Sequence, residues 1–315
     1  MSWDRLRDLR ARWTRRHLLG LEELSADEMK IVLDAAALFK AMPEETLRQG
    51  APLRGKRVFT LFLESSTRTK TSFVLAARRL GADLVDFSPA SSSIMKGESI
   101  KDTARNIEAM GVDSVVIRHS ASGAPLYLSR LLKANVLNGG DGAHEHPTQG
   151  LLDIFTILEE KSSVAGLTVA LVGDIAFSRV ARSNIHGLTR LGARVILVAP
   201  PTLLPDGVDR LGVAVSHDFD SVLPRCDVVM CLRLQLERQQ AGLFPSLQEY
   251  MRLFGLDEAR MKRARPDVLV MHPGPMNRGI EVTSAVADGG RSVILRQVTN
   301  GIAVRMAALY LLADK

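Results

Sequence analysis

A chain of 315 residues is long enough for two domains, and 46% hydrophobic with 24% charged residues is an ordinary globular composition. No apolar run approaches the ~20 residues of a membrane helix, and the charged opening MSWDRLRDLRARWTRR reads as a basic helical arm, not a secretory signal. The 41 basic residues face 35 acidic ones with 5% aromatics and no basic-aromatic array, so small anionic substrates explain the charge of +6 at least as well as nucleic acid does.

In chain order, Ser25 with Glu28 three residues later forms a capping box, and apolar helical spacing follows to residue 42. Strands are expected at RVFTLFL (57–63), DLVDF (83–87), DSVVIRH (113–119) and NVLN (135–138). Helices fall between them at 70–80, 98–110 and 124–133, with Gly81 and Gly111 placed as stops. A helix in PTQGLLDIFTILEE and a hinge in SSVAGL come next, and then the pattern restarts. Strands TVALVGD, RVILVAP, VAVSH, DVVMCLR and DVLVMHP alternate with helical segments, and the last helix, GIAVRMAALYLLA, is apolar on much of its surface. Short apolar strands alternating with amphipathic helices give an α/β fold. We expect two α/β domains of similar size, each a mainly parallel sheet flanked by helices, with the active site in the cleft between them. Cys226 and Cys231, in CDVVMC, read as reduced thiols in a cytoplasmic core.

Several strand ends carry chemistry. After RVFTLFL comes ESSTRTKTSF, which alone reads either as a solubilising helix cap or as an anion cradle. In the second case the N–H groups of the next helix, hydroxyls of Ser66, Thr67 and Thr69, and the fork of Arg68 would hold phosphate. GAPLRGKR imitates a P-loop, but Arg57 replaces its Ser or Thr and the segment precedes its strand. Lys96, in SSSIMKGES, suits a phosphate or carboxylate. Arg118 and His119 end one strand; His144, His146 and Gln149 follow another. H-x-H without a third ligand is poor support for zinc, whereas His146 can donate to a carbonyl oxygen and Gln149 can read an amide. In the second half Arg179, then Arg233 and Gln235 on one face of an extended segment, follow strands. MHPGPMNR closes the last strand with a rigid turn of exposed carbonyls.

STRT, RH, HPTQ, RxQxER and HPGP, in this order, resemble an aspartate carbamoyltransferase catalytic chain, from RHLLG to the C-terminal helix. The resemblance implies transfer of the carbamoyl group of carbamoyl phosphate to L-aspartate, giving N-carbamoyl-L-aspartate and phosphate, with no metal or organic cofactor. It implies a carbamoyl phosphate domain of residues 1–157 plus 292–315, and an aspartate domain of residues 158–291. Ser66, Thr67, Arg68 and Thr69 match the family's phosphate motif, and Arg118 also contacts carbamoyl phosphate. His146 matches the histidine on the carbamoyl carbonyl, and Gln149 the glutamine on its amide. Gly274 and Pro275 match a turn whose carbonyls meet the carbamoyl NH2, although leucine is also known at position 274. Arg179, Arg233 and Gln235 match aspartate ligands. Lys96 matches a lysine that reaches the neighbouring subunit's site, implying a homotrimer. The loop 91–97 is a residue shorter than in some relatives, with Met95 where a second lysine can occur. Either Ser92 or Ser93 faces the site, and Ser93 is preferred. A larger assembly with regulatory chains or dihydroorotase stays open. The rival within the superfamily, ornithine carbamoyltransferase, shares STRT but carries an HCLP-like turn. A scaffold that had lost catalysis would lack a motif residue, and none of those carried over is missing.

Overall fold

The computed structural model describes residues 2–87, 99–235, 243, 245–313 and 315. The strands are β1 (Arg57–Phe62), β2 (Asp83–Phe87), β3 (Ser114–His119), β4 (Asn135–Asp141), β5 (Thr168–Val172), β6 (Arg194–Val198), β7 (Ala214–Ser216), β8 (Val228–Cys231) and β9 (Leu269–Met271). The helices are α1 (Ser2–Arg12), α2 (Ala26–Ala41), α3 (Glu44–Gly50), α4 (Thr67–Arg79), α5 (Ile100–Ala109), α6 (Ala124–Ser129) and α7 (Pro147–Lys161). There follow α8 (Arg179–Arg190), α9 (Phe219–Val222), α10 (Leu247–Phe254), α11 (Glu258–Arg263), α12 (Ser284–Ala287) and α13 (Ile294–Leu312).

The chain divides into one unit of Met1–Leu151 with Thr299–Lys315 and another of Leu152–Val298, so the division runs within α7 and α13. Both are α/β units on wholly parallel sheets, as the alternation of short apolar runs and amphipathic helices predicts.

The first unit's sheet has the order β2-β1-β3-β4. β1 buries every residue after Arg57, because helices cover both faces. On one side Phe59, Leu61, Val115, Ile117 and Val136 pack with Ile107 of α5 and Leu128 of α6. Each such side chain contributes roughly 1.5–3 kcal/mol on burial. The outer edge of β4 is closed by the N-terminal arm: the Leu18 N–H donates to the Val136 carbonyl, and the Asn138 N–H to that of Leu18. Ahead of the arm, α1 buries Leu6 and Leu9, and Trp3 meets Phe39 of α2 edge to face. The capping box is fully formed, with Glu28 donating its N–H to Ser25 Oγ and accepting from the Ser25 N–H.

The second unit's sheet has the order β7-β6-β5-β8-β9. Both sheets are therefore doubly wound. In the first the chain starts at β1, adds β2 on one side and β3 and β4 on the other; in the second it starts at β5, adds β6 and β7 on one side and β8 and β9 on the other. Each has a switch point, between β1 and β3 and between β5 and β8, where the connections leave in opposite directions and open a crevice at the strand C-termini.

Candidate active site

At the first unit's switch point, β1 and β3 lie in register with Phe62 beside Arg118. The Leu63 N–H donates to the Arg118 carbonyl, and the chain then turns into α4. Ser66 is the residue before α4, but its side chain makes no capping hydrogen bond, and the first turn carries no acidic residue. Unlike Ser25 in its capping box, Ser66 does not spend its hydroxyl on the helix. The orphan N–H groups and positive dipole end of a helix attract anions, and here no side-chain carboxylate of the first turn answers them. Thr67 and Arg68 are exposed, Ser66 is half-buried and Thr69 is buried.

Arg118 is held by its neighbours. Its guanidinium donates to Glu64 Oε1 at 3.2 Å and to the Gly139 carbonyl at 3.2 Å, with little of either charged side chain exposed. Glu64 stands in the quoted stretch, yet nothing local marks it as the partner of a residue 54 positions away. The adjacent His119 accepts from the Ala121 N–H, and burial pulls its pKa down against the opposing pull of Glu64 and Asp141.

β4 delivers Asp141, 1% exposed, into the loop before α7. Asp141 accepts from the Gly123 N–H at 2.7 Å, Asn138 Nδ2 at 2.8 Å and the Glu145 N–H at 3.1 Å, and meets His144 Nδ1 at 3.1 Å. Burial raises its pKa, but these bonds, His144's first, outweigh it and hold the carboxyl below its ordinary range. Glu145 is also buried and accepts from the N–H groups of Leu21 and Glu22. The loop so clamped sets His146, 3% exposed, whose carbonyl accepts from the N–H groups of Gln149 and Gly150 and so opens α7. Gln149 is buried on that first turn. The two histidines of H-x-H do not act together. Among the described residues, the His, Cys or acidic side chains close enough to share an ion are Glu22, His144 and Glu145, within 4.8 Å of one another, and His146 is not among them.

In the second unit β5 is followed by Gly173, with φ +124°. A Cβ there would lie 2.8 Å from the Tyr250 hydroxyl and 2.9 Å from the Leu232 carbonyl, so the segments after β5 and β8 meet only because this residue is glycine. Asp174, 0% exposed, joins them: it accepts from the N–H groups of Phe177 at 3.0 Å and Gln235 at 3.1 Å. Gln235 Nε2 donates to the Phe177 carbonyl at 2.7 Å. Ser178 caps α8 by accepting from the Ala181 N–H, which sets Arg179, 5% exposed, as its first residue. Arg233 is half-buried. Arg179, Arg233 and Gln235 thus all follow the two strands of the switch point.

Beyond β9, beside β8, lies the turn of residues 272–275. Gly274 has φ +65°, a left-handed conformation that glycine adopts without penalty, and its bond to Pro275 is cis. Lys96, Ser92 and Ser93 lie outside the described residues. Sequence reasoning missed the acids that position the rest, namely the half-buried Glu64 and the buried Asp141, Glu145 and Asp174.

Residues 16–159 match the family model for the aspartate/ornithine carbamoyltransferase carbamoyl-P binding domain, and residues 165–312 that for the Asp/Orn binding domain. The aspartate carbamoyltransferase catalytic subunit of Opitutus terrae is 57% identical over 96% of this chain and 96% of its own length. That of Moorella thermoacetica is 56% identical over 96% and 98%. Aspartate transcarbamoylase from Trypanosoma cruzi, crystallised with carbamoyl phosphate and aspartate, is 33% identical with a TM-score of 0.84, covering 95% of this chain and 97% of that one. Its complex with N-(phosphonacetyl)-L-aspartic acid gives a TM-score of 0.85 at 33% identity, covering 95% and 96%.

Proposed function

The chain belongs to the aspartate/ornithine carbamoyltransferase family, and on that footing we propose that it transfers the carbamoyl group of carbamoyl phosphate to the α-amino group of L-aspartate. N-carbamoyl-L-aspartate and phosphate leave, an early step of pyrimidine synthesis. The observation that carries the choice of aspartate is the second unit's switch point, where Arg179, Arg233 and Gln235 gather after β5 and β8. Two guanidiniums suit the two carboxylates of aspartate and oppose the cationic side chain of ornithine.

In this reading Ser66, Thr67, Arg68 and Thr69 take the phosphate at the N-terminus of α4. Thr69, Arg118 and His146 face the carbamoyl oxygen, Gln149 its amide, and the carbonyls of Gly274 and Pro275 its NH2 group. The neutral amine attacks the carbamoyl carbon; a C–N bond forms, the C–O bond to phosphate breaks, and the amine's proton passes to the departing phosphate. Charge that grows on the carbonyl oxygen meets donors already in place, each worth roughly 3–4 kcal/mol in the transition state. Arg118 is preset for this by Glu64 and the Gly139 carbonyl. Positioning the two substrates lowers the barrier by a further ~7–11 kcal/mol in favourable cases. Neither a protein base nor a metal is assigned a step.

Lys96 and Ser93 complete the phosphate site of a neighbouring subunit, which makes the working form a homotrimer, open to larger assembly with regulatory chains or dihydroorotase. The cytoplasm is its place of work; Cys226 and Cys231 are buried free thiols, and burial pushes Cys226 up to about 12.

The test is product formation by the purified chain, supplied with carbamoyl phosphate and either aspartate or ornithine. Carbamoylation of aspartate alone is expected. Carbamoylation of ornithine alone would keep the phosphate cradle and overturn the roles of Arg233 and Gln235. Turnover with neither, by folded protein, would defeat the reading.

A further inference from the structure

The second unit contains a buried polar chain that the reaction does not by itself require. Asn184 Nδ2 and Gln297 Nε2 both donate to the Asp153 carboxylate at 2.8 Å. Gln297 Oε1 accepts from the His272 N–H at 3.0 Å. His272 Nδ1 in turn accepts from the Gly274 N–H at 2.8 Å, while His272 Nε2 stands 3.5 Å from Glu281 Oε2, a close approach without a hydrogen bond. Glu281 then accepts from the Leu234 N–H at 3.0 Å, from Asn277 Nδ2 at 2.7 Å and from the Asn277 N–H at 2.6 Å. Asn184, Asp153, Gln297, His272 and Glu281 are each 2% exposed or less.

Two features make His272 the centre of this chain. It is the one member whose side chain touches both the Gly274–Pro275 turn and the carboxylate that holds the 233–235 segment. Its Nδ1 is also committed, because it accepts from a backbone N–H, which leaves Nε2 as the nitrogen on the side of Glu281. A bulky ring between two fixed partners transmits position, since a shift of the turn moves the ring and hence the carboxylate on Leu234.

We propose that His272 is a positioning residue, which couples the turn bearing the Gly274 and Pro275 carbonyls to the strand end bearing Arg233 and Gln235. The carbamoyl-facing carbonyls and the aspartate-facing side chains are thereby set as one piece. This rests on the carbamoyl-transfer reading above and adds to it a residue that touches neither substrate.

The experiment compares the full-length chain with His272→Leu and His272→Asn, reading aspartate KM, kcat and inhibition by inorganic phosphate. His272→Leu removes both links. His272→Asn keeps an acceptor near the place of Nδ1, so it retains the link to the turn and loses the link to Glu281. For His272→Leu the aspartate KM is expected to rise about tenfold or more with a lower kcat, while inhibition by phosphate, which the first unit binds, changes less than about twofold. His272→Asn should fall between, with a KM about threefold to fivefold up, and it decides the matter if His272→Leu does not fold. A merely structural role would lower the melting temperature or the active fraction and leave KM alone. Folded, active variants with the parent's aspartate KM therefore overturn the coupling. Absence of carbamoylaspartate from the parent chain strikes at the reaction itself and takes this inference with it.

Discussion

Replacing Asp141 with alanine tests whether the loop before α7 is held as described. The carboxylate answers Gly123, Asn138, Glu145 and His144, and two of these donors are backbone N–H groups. Hydrogen bonds to a charged acceptor contribute about 1.5–3 kcal/mol each. They share one acceptor and are not additive, and water can replace part of the loss, so the expected cost is about 3–5 kcal/mol. Both tryptophans, Trp3 and Trp13, lie in the first unit, so their fluorescence in urea follows the unfolding of the unit that contains the mutation. With a slope of about 3 kcal/mol/M, the midpoint should fall by about 1–1.7 M. pH supplies an independent arm. The folded-state pKa is depressed below the ordinary 3.8, so the carboxylate's stabilisation is complete above that value and is lost as pH falls through the folded pKa. The gap between parent and Asp141→Ala should hold near neutrality and narrow below about pH 4. A midpoint shift under about 0.3 M, or a gap indifferent to acid, would refute the reasoning.

Two further substitutions separate the half-reactions. Arg68 is exposed, so Arg68→Ala should keep its fold and melting temperature while kcat falls about 100-fold to 1,000-fold; near-parental kcat in folded protein would remove the phosphate cradle from the account. Arg233→Ala should chiefly raise the aspartate KM, by about 10-fold to 100-fold for one lost charged contact, and an unchanged KM in steady-state assays would void the assignment of the second unit.

The elements were legible because each is written locally. VFTLF and VVMC are short apolar runs that only a sheet covered on both faces can bury. Ser25 and Glu28 announce a helix three residues apart, and ESSTRT, HPTQ and HPGP stand at strand ends where a parallel sheet collects ligands. Helix boundaries were less legible. The apolar period of α4 covers only 70–80, although the helix begins at Thr67, beside the start expected near Ser66, because a polar first turn carries no apolar period.

Strand order was not legible at all. Nothing in RVFTLFL or TVALVGD says that β1 pairs with both β2 and β3, or β5 with both β6 and β8, and only that order creates the switch points, whose strands the segments with Ser66–Thr69, Arg118, Arg179, Arg233 and Gln235 end or follow. The supporting acids were equally hidden. Glu64 meets Arg118 across 54 positions, Asp174 meets the Gln235 N–H across 61 and Glu281 meets the Leu234 N–H across 47. The sequence alone therefore determined which residue types are candidates to face the substrates, since phosphate and carboxylate demand hydroxyls, arginines and amides close together in short motifs. The tertiary structure decided what holds those residues still, because a carboxylate that accepts from a distant backbone N–H needs only an N–H, and every residue but proline has one.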